Sequence, residues 1–226
     1  MTSSPSRPPS PAMPGALSRH PLVLATLMTA SAGFVDAIGY AQAGGLYLSF
    51  MSGNSTRFGT ALAALDTHLL LGTGMVICAF VIGAMAGTFV IESGVRNHLL
   101  AVLAVEILLI SGALGLVAVG SLRPPLFLIA IAMGMQNSVH QVVAGADVGK
   151  SFVTGALFSF GQSIVAVAKG RISVLECAMY GVSWLSFILG VALGALALMV
   201  FGLFYALLIL LAALVVALAA IWANKL

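Results

Sequence analysis

A polar strip stands where an apolar segment should be most apolar. Residues 46–65 read as one hydrophobic segment, and Ser52-Gly53-Asn54-Ser55-Thr56-Arg57 fall in its middle. Non-helical backbone at membrane depth is tolerated only where protein or a wet cavity surrounds it. Ser52 or Asn54 can cap a helix that starts near Ser55 and continues to Leu65. Such a half-helix aims its positive N-terminal end, with free N–H donors, into the protein, and Arg57 adds a fixed charge in the first turn. The chemistry this suits is capture of an anionic or polar solute. The bland alternative is a short loop before an interfacial helix, with Arg57 reaching headgroups.

Asp36 is the second anomaly, because it lies deep in the first apolar helix. An ionised Asp at the bilayer centre costs roughly 2.5–3.5 kcal/mol on insertion scales. Thr29, Gly33, Asp36 and Tyr40 share a helix face by their spacing. The corresponding face of the fifth helix carries Gly134, Asn137 and Gln141, with Gln136 and His140 adjacent. Asp36 then reads as a proton or cation relay or a substrate contact. Structurally it reads as a hydrogen-bond partner of Asn137, or of Arg57 in a buried ion pair. Thr154 stands where Ser52 stands in the first polar strip. The candidate binding set is therefore Asp36, Ser52, Asn54, Ser55, Thr56, Arg57, Gln136, Asn137 and Thr154.

Other polar residues read more plainly. Glu106 sits about one turn inside its helix, from where its side chain can snorkel to the interface. His140 reads as a hydrogen-bonded helix residue rather than a metal ligand. Cys78 and Cys177 form no metal spacing and no disulfide framework. There is no Gly-x-Ser-x-Gly, His-Glu-x-x-His or phosphate loop, and no paired carboxylates. The expectation is a protein that is not an enzyme, with no catalytic residue, metal or cofactor.

These groups must be positioned by membrane helices. Hydrophobic residues make up 61% of the 226 and charged residues 7%, with a mean hydropathy of +1.16. A soluble domain has roughly 45–50% apolar and about 25% charged residues, so lipid must be the solvent and the bilayer the first partner. Runs rich in Ala, Leu, Val and Gly, without alternation, exclude an outer-membrane barrel. The net charge of +3 shows no basic cluster of the kind that binds nucleic acid.

The reading is an all-α polytopic bundle of six to eight spans. Residues 1–20, rich in Ser and Pro, read as a disordered cytoplasmic tail. A signal peptide cleaved after Ala30-Ser31-Ala32 is the weaker alternative, since the apolar run continues to Ala43. The helices fall at about 21–43, 69–91, 98–119, 124–143, 175–200 and 202–222, with segments at 46–65 and 151–168. Two halves, 21–120 and 121–226, repeat one another. Gly33, Gly53 and Gly83 are echoed by Gly134, Gly155 and Gly190, at intervals of 101, 102 and 107 residues. A duplicated membrane bundle is a transporter architecture, with its site between the repeats. Gly83 and Gly87, then Gly190 and Gly194, are small-xxx-small pairs that let helices approach closely, within the chain or in a homo-oligomer. If segments 46–65 and 151–168 cross, the halves are parallel; if they re-enter, the halves are inverted. Both readings leave the N- and C-termini in the cytoplasm.

The run Ala32-Gly33-Phe34-Val35-Asp36-Ala37-Ile38-Gly39, followed by Gly44-Gly45-Leu46 and Ser49-Phe50-Met51-Ser52-Gly53-Asn54-Ser55-Thr56, resembles the YoaK-like family of bacterial inner-membrane proteins. Gly134-Met135-Gln136-Asn137 and Val153-Thr154-Gly155 are similar to its second-half pattern. The resemblance implies a multi-pass bacterial inner-membrane protein and supplies no substrate, because that family has no assigned function. The residues and their repeat point to a small-solute transporter or channel, the solute unknown and of anionic character if Arg57 binds it, with protons coupled through Asp36. The alternative is a non-transporting assembly or sensor subunit.

Overall fold

The computed structural model describes residues 19–95, 97–121, 123–139, 141–143, 146–148 and 153–223. The tail to residue 18 lies outside the described residues, as do Arg96, His140 and Lys150. Helix α1 runs Arg19–Gln42, α2 Met51–Ala64, α3 Thr67–Glu92, α4 His98–Ala118 and α5 Pro124–Gln136. A hairpin of β1 (Gln141–Val143) and β2 (Ala146–Val148) follows, antiparallel with Val142 opposite Asp147. Helices α6 (Val153–Ala168) and α7 (Val174–Ala223) complete the chain.

This is an all-α membrane bundle. Helices α3, α4 and α7 are long and apolar enough to cross a bilayer. The 50 residues of α7 extend roughly 75 Å at about 1.5 Å per residue, enough for two crossings of about 30 Å. Gly202, at φ 78° and ψ 175°, breaks it into two arms. Apolar side chains also cover the outside: Phe89, Leu108, Met199, Val216 and Trp222 are all exposed. In water such a surface would aggregate; against acyl chains it is at home.

Glycines set the close contacts. On α1, Gly33 lies against the Phe187 carbonyl, while the Ala30 and Phe34 carbonyls lie against Gly190 and Gly194 of α7. On α5, Gly134 lies against the Phe80 carbonyl, while the Ile131 and Met135 carbonyls lie against Gly83 and Gly87 of α3. The contacts follow the same order along both chains of each pair, so α1 runs parallel to the first arm of α7, and α3 parallel to α5. The small-xxx-small pairs thus pack within the chain. The end of α1 and the starts of α3 and α5 line one cavity, so the second pair runs opposite to the first.

Two sequence expectations are corrected. The fifth helix, expected to reach Val143, stops at Gln136, and Gln141 lies on β1 rather than on a helix face. Asn137 takes the C-cap and turns its amide back to the Met133 carbonyl at 2.8 Å, the local bonding by which Asn competes with helix continuation. Val142, Val143 and Val148 then suit strands. Helix α2 starts at Met51, not near Ser55, and its cap residue Phe50 makes no side-chain capping bond. Neither Ser52 nor Asn54 caps it. At 14 residues it is roughly 21 Å long, too short to cross.

Candidate functional site

Asp36 organises the turn between α1 and α2. Its Oδ1 accepts hydrogen bonds from the backbone N–H groups of Leu48 (2.8 Å), Ser49 (2.6 Å) and Phe50 (3.4 Å). Its Oδ2 accepts one from the Ser49 hydroxyl at 2.8 Å. Asp36 lies six residues before the end of α1, about 9 Å along its axis. The chain therefore leaves α1, turns back to this depth, and starts α2 there. The carboxylate satisfies the N–H donors of the loop that leads into α2, up to its cap residue Phe50. Asn54 locks the same turn: it accepts from Tyr47 N–H at 3.0 Å and donates to the Tyr47 carbonyl at 2.7 Å. Arg57 Nη2 donates to the Gly44 carbonyl at 2.7 Å, beyond the C-terminal end of α1. There Gly45 takes φ +87°, and its missing side chain admits the guanidinium.

Two of the expected site residues, Asp36 and Asn54, thus converge on one buried turn, and Arg57 ties its exposed edge to the end of α1. Ser52, Ser55 and Thr56 are exposed on α2, with Ser55 and Thr56 hydroxyls donating to the carbonyls one turn back. Gln136 is buried at the crossing of α1 and α5, where its Nε2 donates to the Met28 carbonyl at 2.8 Å. Asn137 closes α5, and Thr154 is exposed on α6. These residues do not line a common cavity.

The cavity lies next to the turn. It encloses about 410 Å³ and is walled by the end of α1 with the loop after it, the first turns of α3 and the start of α5. Leu46, Met75, Val76 and Phe127 make it largely apolar, while Gln42, His68 and Arg123 are its polar side chains. Arg123 Nη2 stands 3.2 Å from His68 Nε2. Arginine can only donate, so a hydrogen bond between the two needs Nε2 as its acceptor. No carboxylate is bonded to the guanidinium among the described residues. The N-terminal ends of α3 and α5 meet here too; α3 is capped by the Asp66 carboxylate, and α5 opens on Pro124 and Pro125, which have no N–H to offer. An apolar slot with one charged end suits a small amphipathic anion. Sequence reasoning missed this site: Arg123 and His68 were visible only as charges in two joints 55 residues apart.

Glu106 is the second miss. It was expected to snorkel; instead it is 0% exposed, and neither carboxylate oxygen has a hydrogen-bond partner among the described residues. It lies eight residues into α4, about 12 Å from the start. Its neighbours along that face, Val102, Leu103, Ile110 and Ala113, are all core residues. A stripe at this spacing faces inward, so the side chain cannot reach an interface. No cluster of three or more His, Cys, Asp or Glu able to hold a metal occurs among the described residues.

Known proteins agree with this picture as far as they go. The UPF0700 transmembrane protein RA0705 of Rhizobium meliloti (strain 1021) is 34% identical over 176 residues, covering 77% of this chain and 74% of that one. No solved structure matches. Residues 24–221 match the family described as protein of unknown function (DUF1275), which includes the YoaK-like proteins that the motifs resemble. With two apolar helix pairs crossed through glycines and this match over nearly all of its helices, the chain belongs to the DUF1275 family of membrane proteins.

Proposed function

We propose that this protein is a small-solute transporter of the bacterial inner membrane, and that it carries a small amphipathic anion through the cavity beside Arg123. The observation that carries the reading is that cavity. Residues 42–76 supply one part of its wall and residues 123–127 the other, so each proposed half contributes, as in transporters built from repeats. Its volume of about 410 Å³ is that of a ligand site. Arg123 binds the anionic group, while Leu46, Val76 and Phe127 take the apolar body.

The glycine contacts support the repeat. Ala30, Gly33 and Phe34 on α1 play the parts that Ile131, Gly134 and Met135 play on α5, at the same interval of 101 residues. The first helix of each half crosses the third helix of the other, and the two pairs run in opposite directions. Inverted halves with three crossings each follow, with α2 and α6 entering and leaving on one side. Arg19, Lys169 and Arg171 then lie on the side where α1 begins and α7 ends, and Arg57 and Arg123 on the other. That imbalance puts the termini in the cytoplasm. In this scheme Asp36, Asn54 and Arg57 hold the re-entrant turn that walls the cavity. Ser52, Ser55, Thr56, Gln136, Asn137 and Thr154 play no part in binding, and nothing here calls for catalysis or an obligatory second copy.

The test is uptake of radiolabelled monocarboxylates of increasing chain length, and of benzoate, into proteoliposomes. The wild type should take up at least one, and Arg123→Ala should lose at least tenfold. Uptake of none, or equal uptake by the variant, would refute the proposal.

A further inference from the structure

We propose that Glu106 is the proton-carrying group of this transporter: it takes a proton from one side of the membrane and gives it to the other, driving solute accumulation. The inference rests on the transport reading above, and its evidence lies elsewhere in the fold. Glu106 is fully enclosed, and both of its oxygens lack partners among the described residues. Intramembrane carboxyls are rare because they cost stability, and an unpartnered one contributes nothing to packing in return.

The surroundings select the ion. A sodium or divalent ion needs several oxygen ligands to replace its water. Around Glu106 the inward stripe of α4 offers Val102, Leu103, Ile110 and Ala113, and no described group hydrogen-bonds the carboxyl. A proton needs only one oxygen lone pair. The packed elements supply no counter-charge either. Helix α4 packs on α5, α7 and α3. Helix α5 has no ionisable side chain. On α3, His68, Cys78 and Glu92 are all exposed. On α7, Tyr205 is exposed, and Glu176, Cys177 and Tyr180 belong to its first two turns. Asp36, the other buried acid among the described residues, already accepts four hydrogen bonds. Glu106 is therefore the acid whose proton can come and go without dismantling a hydrogen-bond network. Release requires the helices around α4 to part, and the break at Gly202 in α7 offers a hinge.

Two measurements separate this inference from the transport reading. In proteoliposomes, an inward proton gradient should drive wild-type accumulation of the transported carboxylate above equilibrium. Glu106→Gln should abolish accumulation, at least tenfold, yet keep solute counterflow near the wild-type rate. Glu106→Asp, which keeps a carboxyl, should accumulate with a displaced pH profile. Equal accumulation in the Gln variant, or equal loss of accumulation and counterflow in both variants, overturns the proposal. Independently of any solute, dicyclohexylcarbodiimide should label Glu106 in native membranes, read by peptide mass spectrometry, with labelling falling as pH rises. Absence of labelling overturns the proposal. Labelling with no carboxylate transport in the wild type refutes the transport reading alone and leaves Glu106 as an exchanging proton site.

Discussion

Alanine at Gly83 or Gly134 should drive apart the α3–α5 crossing. A Cβ at Gly83 would overlap the Ile131 carbonyl oxygen and stand 2.8 Å from its carbon; one at Gly134 would overlap the Phe80 oxygen and stand 2.9 Å from its carbon. Carbon atoms in contact stand about 3.5–4.0 Å apart, so the helices must separate by about 1 Å along much of the crossing. The obstacle is backbone, which cannot swing aside. Overpacking of this kind costs about 1–3 kcal/mol, roughly 2–12 °C in melting temperature for a chain of this size. Gly115→Ala and Gly161→Ala are the controls, since a Cβ at either meets nothing within 4 Å; each should hold or gain stability through helix propensity, by up to about 1 kcal/mol. The assay is thermal unfolding of the purified protein in mild detergent. Melting of Gly83→Ala and Gly134→Ala at the temperature of the controls would refute the crossing.

Further outcomes follow from the buried polar groups. Asp36→Ala strands three backbone N–H groups and the Ser49 hydroxyl and should cost roughly 3 kcal/mol or more, against about 1 kcal/mol for Ser49→Ala; detergent melting curves rank the two. Asn54→Ala loses both bonds to Tyr47 and should cost about 2 kcal/mol, with faster proteolysis near Tyr47 as a second readout. Glu106→Leu should raise stability by about 1–3 kcal/mol, because an unsatisfied buried carboxyl gives way to packing. Its melting temperature should therefore exceed that of the wild type while gradient-driven accumulation is lost.

The helices were legible because lipid-facing segments must be apolar throughout, and the close-packed glycines because Gly83 with Gly87 and Gly190 with Gly194 stand at small-xxx-small spacing. Asp36 and Asn54 were legible as misfits in apolar company. Their roles were not, since their partners are the backbone groups of Leu48, Ser49, Phe50 and Tyr47, which carry no side-chain signature. Glu106 was misjudged because spacing alone does not say which face of an all-apolar helix is inward. The cavity was hidden for a different reason. His68 and Arg123 meet only when α3 and α5 run parallel, and nothing local to either residue records that direction. The early end of α5 went unseen because hydrophobicity continues through Val142 and Val143 although the helix does not.

The cavity between the halves is the claim on which the account turns, and aqueous access to Gly72 tests it. A Cβ there would make ordinary contact with Leu46 at 3.7 Å, so cysteine fits the wall. With Cys78 and Cys177 replaced by serine, Gly72→Cys in right-side-out and inverted vesicles should react with a membrane-impermeant maleimide from the periplasmic side, and the transported carboxylate should slow the reaction. Reaction only with a lipid-soluble maleimide, unaffected by any carboxylate, would mean that acyl chains fill the space and would contradict the account.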